Sequence, residues 1–258
     1  MHRRQFLKRL ATSLASGLAV TGSWPLSAKA SARPTGQSPR TSRIAVIIDD
    51  IGFSRTRAHN FLPLEIPLTF SILPQVTHTR ELAESLHAAG HEIMLHQPME
   101  PVDRRSNPGP GALYTAYPRQ AIVDALARNI DAVPHITGVN NHMGSKFTAD
   151  PAKMEQALEV VKSKTLFFVD SLTTHRSAGY ATANRLGITA ARRNIFLDNY
   201  LTIQSILTQL ARLQRRALQT GRAVAIGHPF PETVAALRIF DRKMKKDGVH
   251  FVPISDLL

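Results

Sequence analysis

Cysteine is missing from the chain altogether. Disulfides cannot hold the fold, and thiolate nucleophiles and thiolate metal ligands are excluded. Long, clean apolar runs are missing too. The stretch 10–26 is interrupted by Thr12, Gly17, Thr21, Gly22 and several serines, which makes it a poor permanent membrane span and excludes a multi-span protein. The basic residues form no stripe interleaved with aromatics, so no nucleic-acid partner is expected. There is no Asn-Gly hairpin signal and no internal repeat. No glycine-rich turn follows the first strand candidate, which argues against a nucleotide-binding sheet.

What remains is ordinary for a folded soluble domain: 43% hydrophobic and 20% charged residues in a chain of 258. Residues 1–30 read as a leader. His2-Arg3-Arg4-Gln5-Phe6-Leu7-Lys8 precedes the weakly apolar run, and Ala28-Lys29-Ala30 is a small-x-small cleavage pattern. The paired arginines resemble a bacterial twin-arginine export signal, with His2 where Ser or Thr is usual. The expected product is a periplasmic or secreted protein with no stable membrane span after cleavage; an uncleaved anchor and a retained cytoplasmic start are the alternatives. Residues 31–43 are a polar, Pro/Gly-rich linker. The charge of +13 falls by the five leader cations to +8, a moderate excess.

From residue 44 to 258 the chain alternates. Short apolar runs at 44–48, 66–72, 92–95, 136–140, 166–169, 188–190, 223–226 and 249–252 read as strands. Segments 77–89, 118–133, 150–161, 177–186, 202–218 and 231–246 read as helices. Continuous apolar strands separated by helices imply a parallel sheet covered on both faces, either a barrel or an open doubly wound sheet. The loop 97–117 is longer than a plain connection needs and suits a site-covering or substrate segment.

Asp49, Asp50, His96, His142, Asp170 and His228 each fall just after an apolar run. In a parallel barrel those positions share the C-terminal rim, where active sites sit. Two histidines and one aspartate suit zinc with an open position for water. A second carboxylate can take the water proton, and a further histidine can protonate a leaving nitrogen. Structural roles stand beside these: a turn or helix cap for Asp50, backbone bonding for Asp49, a core ring for His96, and a cap or ligand-orienting role for Asp170.

Five ordered blocks then resemble the divergent polysaccharide deacetylase family of bacteria: Ile48-Asp49-Asp50-Ile51-Gly52, Met94-Leu95-His96-Gln97-Pro98-Met99-Glu100, Gly138-Val139-Asn140-Asn141-His142-Met143-Gly144-Ser145, Phe168-Val169-Asp170-Ser171, and Ile226-Gly227-His228-Pro229-Phe230-Pro231-Glu232-Thr233. The resemblance implies an α/β fold, a distorted (β/α)7 barrel over 44–258. It implies Zn2+ or another divalent metal on Asp50, His96 and His142, with Asp49 as base and His228 as acid. Asp170 joins this catalytic set as an orienting or substrate residue. Asn141, Ser171 and Arg193 would meet substrate, and Tyr114, Tyr117 and Phe230 would stack on sugar rings. Ordinary deacetylases carry both metal histidines in one short His-x-x-x-His segment, whereas His96 and His142 come from separate strands. An acid is expected at the position of Asn194, and Asp198 stays a rim residue. The implied activity is removal of N-acetyl groups from a cell-envelope or extracellular glycan. A non-catalytic glycan- or protein-binding envelope protein and a peptide or ester hydrolase are the other readings. The oligomeric state is not fixed by the sequence.

Overall fold

A computed structural model describes residues 42–244 and 248–258. The leader and nearly all of the linker lie outside the described residues. The strands are β1 (Ser42–Ile51), β2 (Thr69–Ile72), β3 (Glu92–Met99), β4 (Ile136–Met143), β5 (Phe167–Asp170), β6 (Ala190–Arg192), β7 (Ile195–Phe196), β8 (Arg222–Gly227) and β9 (Val249–Phe251). The helices are α1 (Arg55–His59), α2 (Thr79–Ala88), α3 (Arg119–Ala132), α4 (Pro151–Ser163), α5 (Gly179–Arg185), α6 (Ile203–Thr220) and α7 (Pro231–Met244).

Their boundaries follow local chemistry. The Asp150 carboxylate accepts from the Ala152 and Lys153 amides and starts α4, with Pro151 inside the first turn. Helix α6 turns Ile206, Leu210, Leu213 and Ala217 inward and stops at Gly221, whose φ of 82° few other residues adopt readily.

The strands form one sheet in the order β6-β5-β4-β3-β2-β1-β8-β7. Every strand pair is parallel, and β9 takes the lower half of the β1 edge whose upper half meets β2. The outer strands β6 and β7 are not paired with each other among the described residues, yet only Arg193 and Asn194 separate them in sequence. Three residue steps span at most about 11 Å, so the sheet curls until its edges nearly meet. The Arg193 amide donates to the Asp170 carbonyl of β5, and the Asn194 amide donates to the Val224 carbonyl of β8. Asn194 Oδ1 accepts the Val224 amide in return. The result is a curled, open parallel sheet, the distorted deacetylase-like barrel that the sequence implies. Asn194, where an acid was expected, laces the opening.

Period-two alternation divides the core. Ala45, Ile47, Met94, Phe167, Val169, Val224 and Ile226 fill the interior, closed from below by Ile254 and Leu257. The intervening residues, such as Val46, Phe70, Leu95, Val139 and Phe168, pack outward against the helices. Two strands outrun their apolar cores: β3 continues to Met99 and β4 to Met143. The loop after β3 therefore begins at residue 100 rather than 97. It is pinned to the flank, because Gln97 and Asn129 both donate to the Gly111 carbonyl. The Glu100 carboxylate holds Thr115 and Lys146. Among the described residues no helix is long and apolar enough to cross a membrane.

Gly138 is an inward position on β4, and a Cβ there would lie 2.2–2.6 Å from the Phe167 ring. Gly138→Ala should cost about 1–3 kcal/mol by overpacking. An unchanged urea midpoint would show that the barrel interior yields at this point.

Candidate metal centre and active site

The inward rows that are apolar at the base of the barrel become polar at its top. On β1 the row 45, 47 continues to Asp49; on β3 Met94 is followed by His96; on β4 Gly138 is followed by Asn140 and His142. On β8 the row Val224, Ile226 leads to His228 just past the strand. Asp50 would point outward if β1 stayed regular. It does not: its φ is 59°, and the register against β2 shifts between Ile48 and Ile51. A left-handed aspartate costs on the order of 1–3 kcal/mol, and here it turns a second carboxylate onto the same face. Helix α1 is capped by Ser54, which leaves Asp50 free of that duty.

Three donors converge. Asp50 Oδ1 lies 3.1 Å from His96 Nε2 and 2.9 Å from His142 Nδ1. The two ring nitrogens are 3.2 Å apart. One donor atom from each residue falls within 4.8 Å of the others. Asp50 Oδ1 is buried and receives no hydrogen bond of proper geometry. The supports of His96 agree with a ligand role. Asn140 Nδ2 donates to Asp49 Oδ1 at 2.8 Å, which orients the amide, and Asn140 Oδ1 then accepts from His96 Nδ1 at 2.7 Å. Ser71 donates to the same amide oxygen. The His96 proton is thereby drawn to Nδ1, and Nε2 presents its lone pair to Asp50 and His142. An oxygen and two imidazole nitrogens are a fitting set for a divalent cation.

Asp49 is buried, and desolvation pushes its carboxyl above the usual carboxylate range despite His96, His228 and Asn140. Its Oδ2 lies 3.6 Å from His96 Nε2. Burial would raise Asp50 as well, but the close His142 and His96 rings outweigh it and hold Asp50 below that range. Burial lowers His96, and Asp49 and Asp50 more than reverse this. His228 donates from Nδ1 to Asp198 Oδ1 at 2.9 Å and from its amide to Asp198 Oδ2 at 2.6 Å. Thr233 donates to the same carboxylate. Burial would lower His228; Asp198, then Asp49 and Asp50, carry it up to about 9. Its Nε2 lies 3.8 Å from Asp50 Oδ2. A cavity of about 180 Å³ opens beside them, lined by Asp50, Phe53, Arg57, His228 and Phe230 among others.

Of the remaining expected site residues, Phe230 lines this cavity and Arg193 is near enough to feel the charges of Asp49 and Asp170, whereas the tyrosines lie elsewhere. Asp170 ends β5 on the outward row. Its Oδ1 accepts from Leu172, and its Oδ2 accepts from Ser177 and from the Tyr180 amide at the start of α5. Asn141 also points outward, bonded to the Ser171 amide and the Met143 carbonyl. Ser171 is buried with an unpartnered hydroxyl. Arg193 donates to the Ser171 and Leu172 carbonyls and lies over the Phe196 ring. Tyr114 and Tyr117 line a different cavity, of about 550 Å³, with Gln75, Asp124 and Arg128. Sequence reading passed over Asn140 and Ser71 and left Asp198 without a partner. The alternation counted back from His142 points to Asn140, and the short apolar run 195–197 points to Asp198.

With that geometry in view, residues 46–258 match the divergent polysaccharide deacetylase family. The chain belongs to that family. This deacetylase-family chain is 30% identical over 219 residues to the uncharacterized protein YibQ of Escherichia coli, covering 84% of the present chain and 67% of YibQ. Among solved structures, the uncharacterized protein ATU2773 of Agrobacterium tumefaciens superposes with a TM-score of 0.81 at 26% identity, over 86% of this chain and 92% of that one. BA3943 of Bacillus anthracis, described as a CE4-family pseudoenzyme, superposes with a TM-score of 0.53 at 13% identity, over 85% of this chain and 66% of its own. The last likeness is one of fold alone.

In metal-free protein, a histidine raised from 6.5 to about 9 stabilises the fold fully below 6.5, and that contribution fades as pH rises through about 9. Asp198→Asn removes the main cause. Urea titrations should show wild type losing more stability than the variant between about pH 6.5 and 9, and the NMR-titrated pKa of His228 should fall. Parallel pH profiles would refute the pairing.

Proposed function

We propose that the protein is a divalent-metal-dependent hydrolase that removes N-acetyl groups from a cell-envelope glycan, with zinc the expected ion. The observation that carries this is the convergence of Asp50, His96 and His142 from three strands, with Asp49 and His228 beside them. Bound to those three residues, the ion would polarise the amide carbonyl and acidify water.

The chain's own groups then divide the proton work. Asp49 keeps Oδ1 on Asn140 and has Oδ2 free, so Oδ2 accepts the proton of the attacking water. Its desolvation makes it a stronger base than an aspartate in water. His228 stands on the other side, held as an imidazolium by Asp198, and its Nε2 proton goes to the amine as the C–N bond breaks. Water adds to the acyl carbon, and acetate and a free amino sugar leave. Asn140 and Ser71 keep His96 in its tautomer throughout. Phe53 and Phe230 flank the cavity as apolar walls for a sugar ring, and the spare Ser171 hydroxyl is available to a substrate polar group. Asp170 and Asn141 act by holding the loops that carry Ser171, and Arg193 braces the same segment. Export by the N-terminal leader would bring the enzyme to an envelope substrate.

Metal analysis and acetate release on N-acetylated glycans test this. His142→Ala should lose the metal and the activity together. Asp49→Asn should keep the metal and lose roughly 10²–10⁴-fold in kcat. Metal retained equally by His142→Ala would overturn the ligand set. Metal-loaded wild type that releases no acetate across a broad panel would transfer the proposal to glycan or protein binding without turnover.

A further inference from the structure

From residue 171 to 231 the chain carries eight arginines, no lysine and a single acid, Asp198. That acid is buried and committed to His228 and Thr233. A positive surface kept for solubility would mix lysine with arginine. Arginine alone points to recognition of forked oxyanions, which its planar guanidinium meets with two parallel hydrogen bonds.

Three of the eight meet where the barrel fails to close. Below the lacing by Asn194, β6 and the first residues of β8 face each other without pairing, and a cleft of about 270 Å³ lies between them. Arg192 of β6, Arg216 of α6 and Arg222 of β8 line it, with the small Ala190, Ala191 and Ala223 leaving the room. Two of the guanidinium groups are already positioned. Arg222 donates to the Leu257 carbonyl, and Arg192 lies 5.6 Å from the centre of the Tyr180 ring. Among the described residues no ion pair joins any of the three to a carboxylate, and no Asp or Glu side chain lines the cleft; the one carboxylate there is the main-chain group of Leu258, which leaves three cations facing a single anion. The cleft sits at the start of β8, and His228 follows the end of that strand. Six residues of strand place them roughly 20 Å apart, so the cleft is separate from the metal centre.

We propose that this seam cleft is a binding site for a phosphate group. A phosphate monoester offers three oxygens and nearly two charges to three guanidinium groups, whereas a carboxylate offers two oxygens and one charge and leaves one arginine unpaired. Soluble phosphate esters and anionic phospholipid head groups present the same chemistry. A head group bound here would turn the opposite, metal-bearing end of the barrel away from the bilayer.

The test uses the full chain. Inorganic phosphate is titrated by calorimetry at constant ionic strength, with acetate as the comparison anion. Phosphate should bind and acetate should not. Arg216→Gln, an exposed change that loses no side-chain hydrogen bond or ion pair among the described residues, should weaken phosphate about tenfold, as expected for one charge-assisted contact. Arg216→Gln combined with Arg222→Gln should abolish binding, while His142→Ala should leave it intact. Co-sedimentation with phosphatidylglycerol vesicles but not phosphatidylcholine vesicles, lost in the double variant, identifies the head group as the source. Phosphate binding without sedimentation identifies a soluble ester. The proposal is overturned if wild type binds no phosphate, if acetate binds equally well, or if both arginine variants keep wild-type affinity.

Discussion

Two adjacent residues of a regular strand face opposite ways, so Asp49 and Asp50 can serve one site only if the backbone breaks its alternation between them. It breaks at Asp50, with a left-handed φ of 59° and a register shift against β2. Everything else at the top of the barrel depends on that turn. Without it Asp50 would face the helical layer, His96 and His142 would have no carboxylate between them, and Asp49 would have to be ligand and base at once. The local cost, on the order of 1–3 kcal/mol, is offset by the surrounding sheet. β1 is held on one side by β8 and on the other by β2 and β9, so the strained residue sits on the most constrained strand of the fold.

The electrostatics follow from how each carboxylate is supported. Asp50 has two imidazoles within about 3 Å and stays ionised. Asp49 is more deeply buried than Asp50 and receives only one amide donor and a more distant histidine, so desolvation dominates. Asp198 collects three donors, two from His228 and one from Thr233, and converts His228 into a cation poised 3.8 Å from Asp50. The three carboxylates thus differ in setting: Asp50 lies between two imidazoles, Asp49 is desolvated on one amide donor, and Asp198 is bonded to His228.

The sequence made the alternation of strands and helices legible because apolar runs and caps are local: Asp150-Pro151 starts α4 and Gly221 ends α6 as their residue types require. It also brought out the six polar residues at the strand ends. Strand limits were less legible, because β3 and β4 run past their apolar cores through His96, Gln97, Asn140, Asn141 and His142. Such residues break an apolar pattern, yet these lie buried inside a hydrogen-bonded sheet. The two-residue β7 is too short to have a period, so only the apolar run 195–197 marks it in the sequence. Tyr114 and Tyr117 read as neighbours of the catalytic rim because their loop follows β3. Only the tertiary bonds from Gln97 and Asn129 to Gly111 carry that loop to the flank.

The opening of the barrel links the two ends of the molecule. Arg193 and Asn194 cross it in two residues, and Asn194 spends both its amide nitrogen and its side-chain oxygen on Val224. That places β7 against the upper half of β8, so Leu197 is bonded to Ile226 and Asp198 comes directly beneath His228. It also leaves the seam edge of the lower half of β8 without a strand partner among the described residues, so Arg222 lines the cleft together with Arg192 and Arg216. Were β6 to pair with β8 along its length, the arginines would lose their space and Asp198 would lose its position. An aspartate at this position could make the same two bonds, through its backbone N–H and a carboxylate oxygen, but it would set a negative charge among those guanidinium groups. The asparagine is the neutral residue that can tie the seam while leaving the cleft positive.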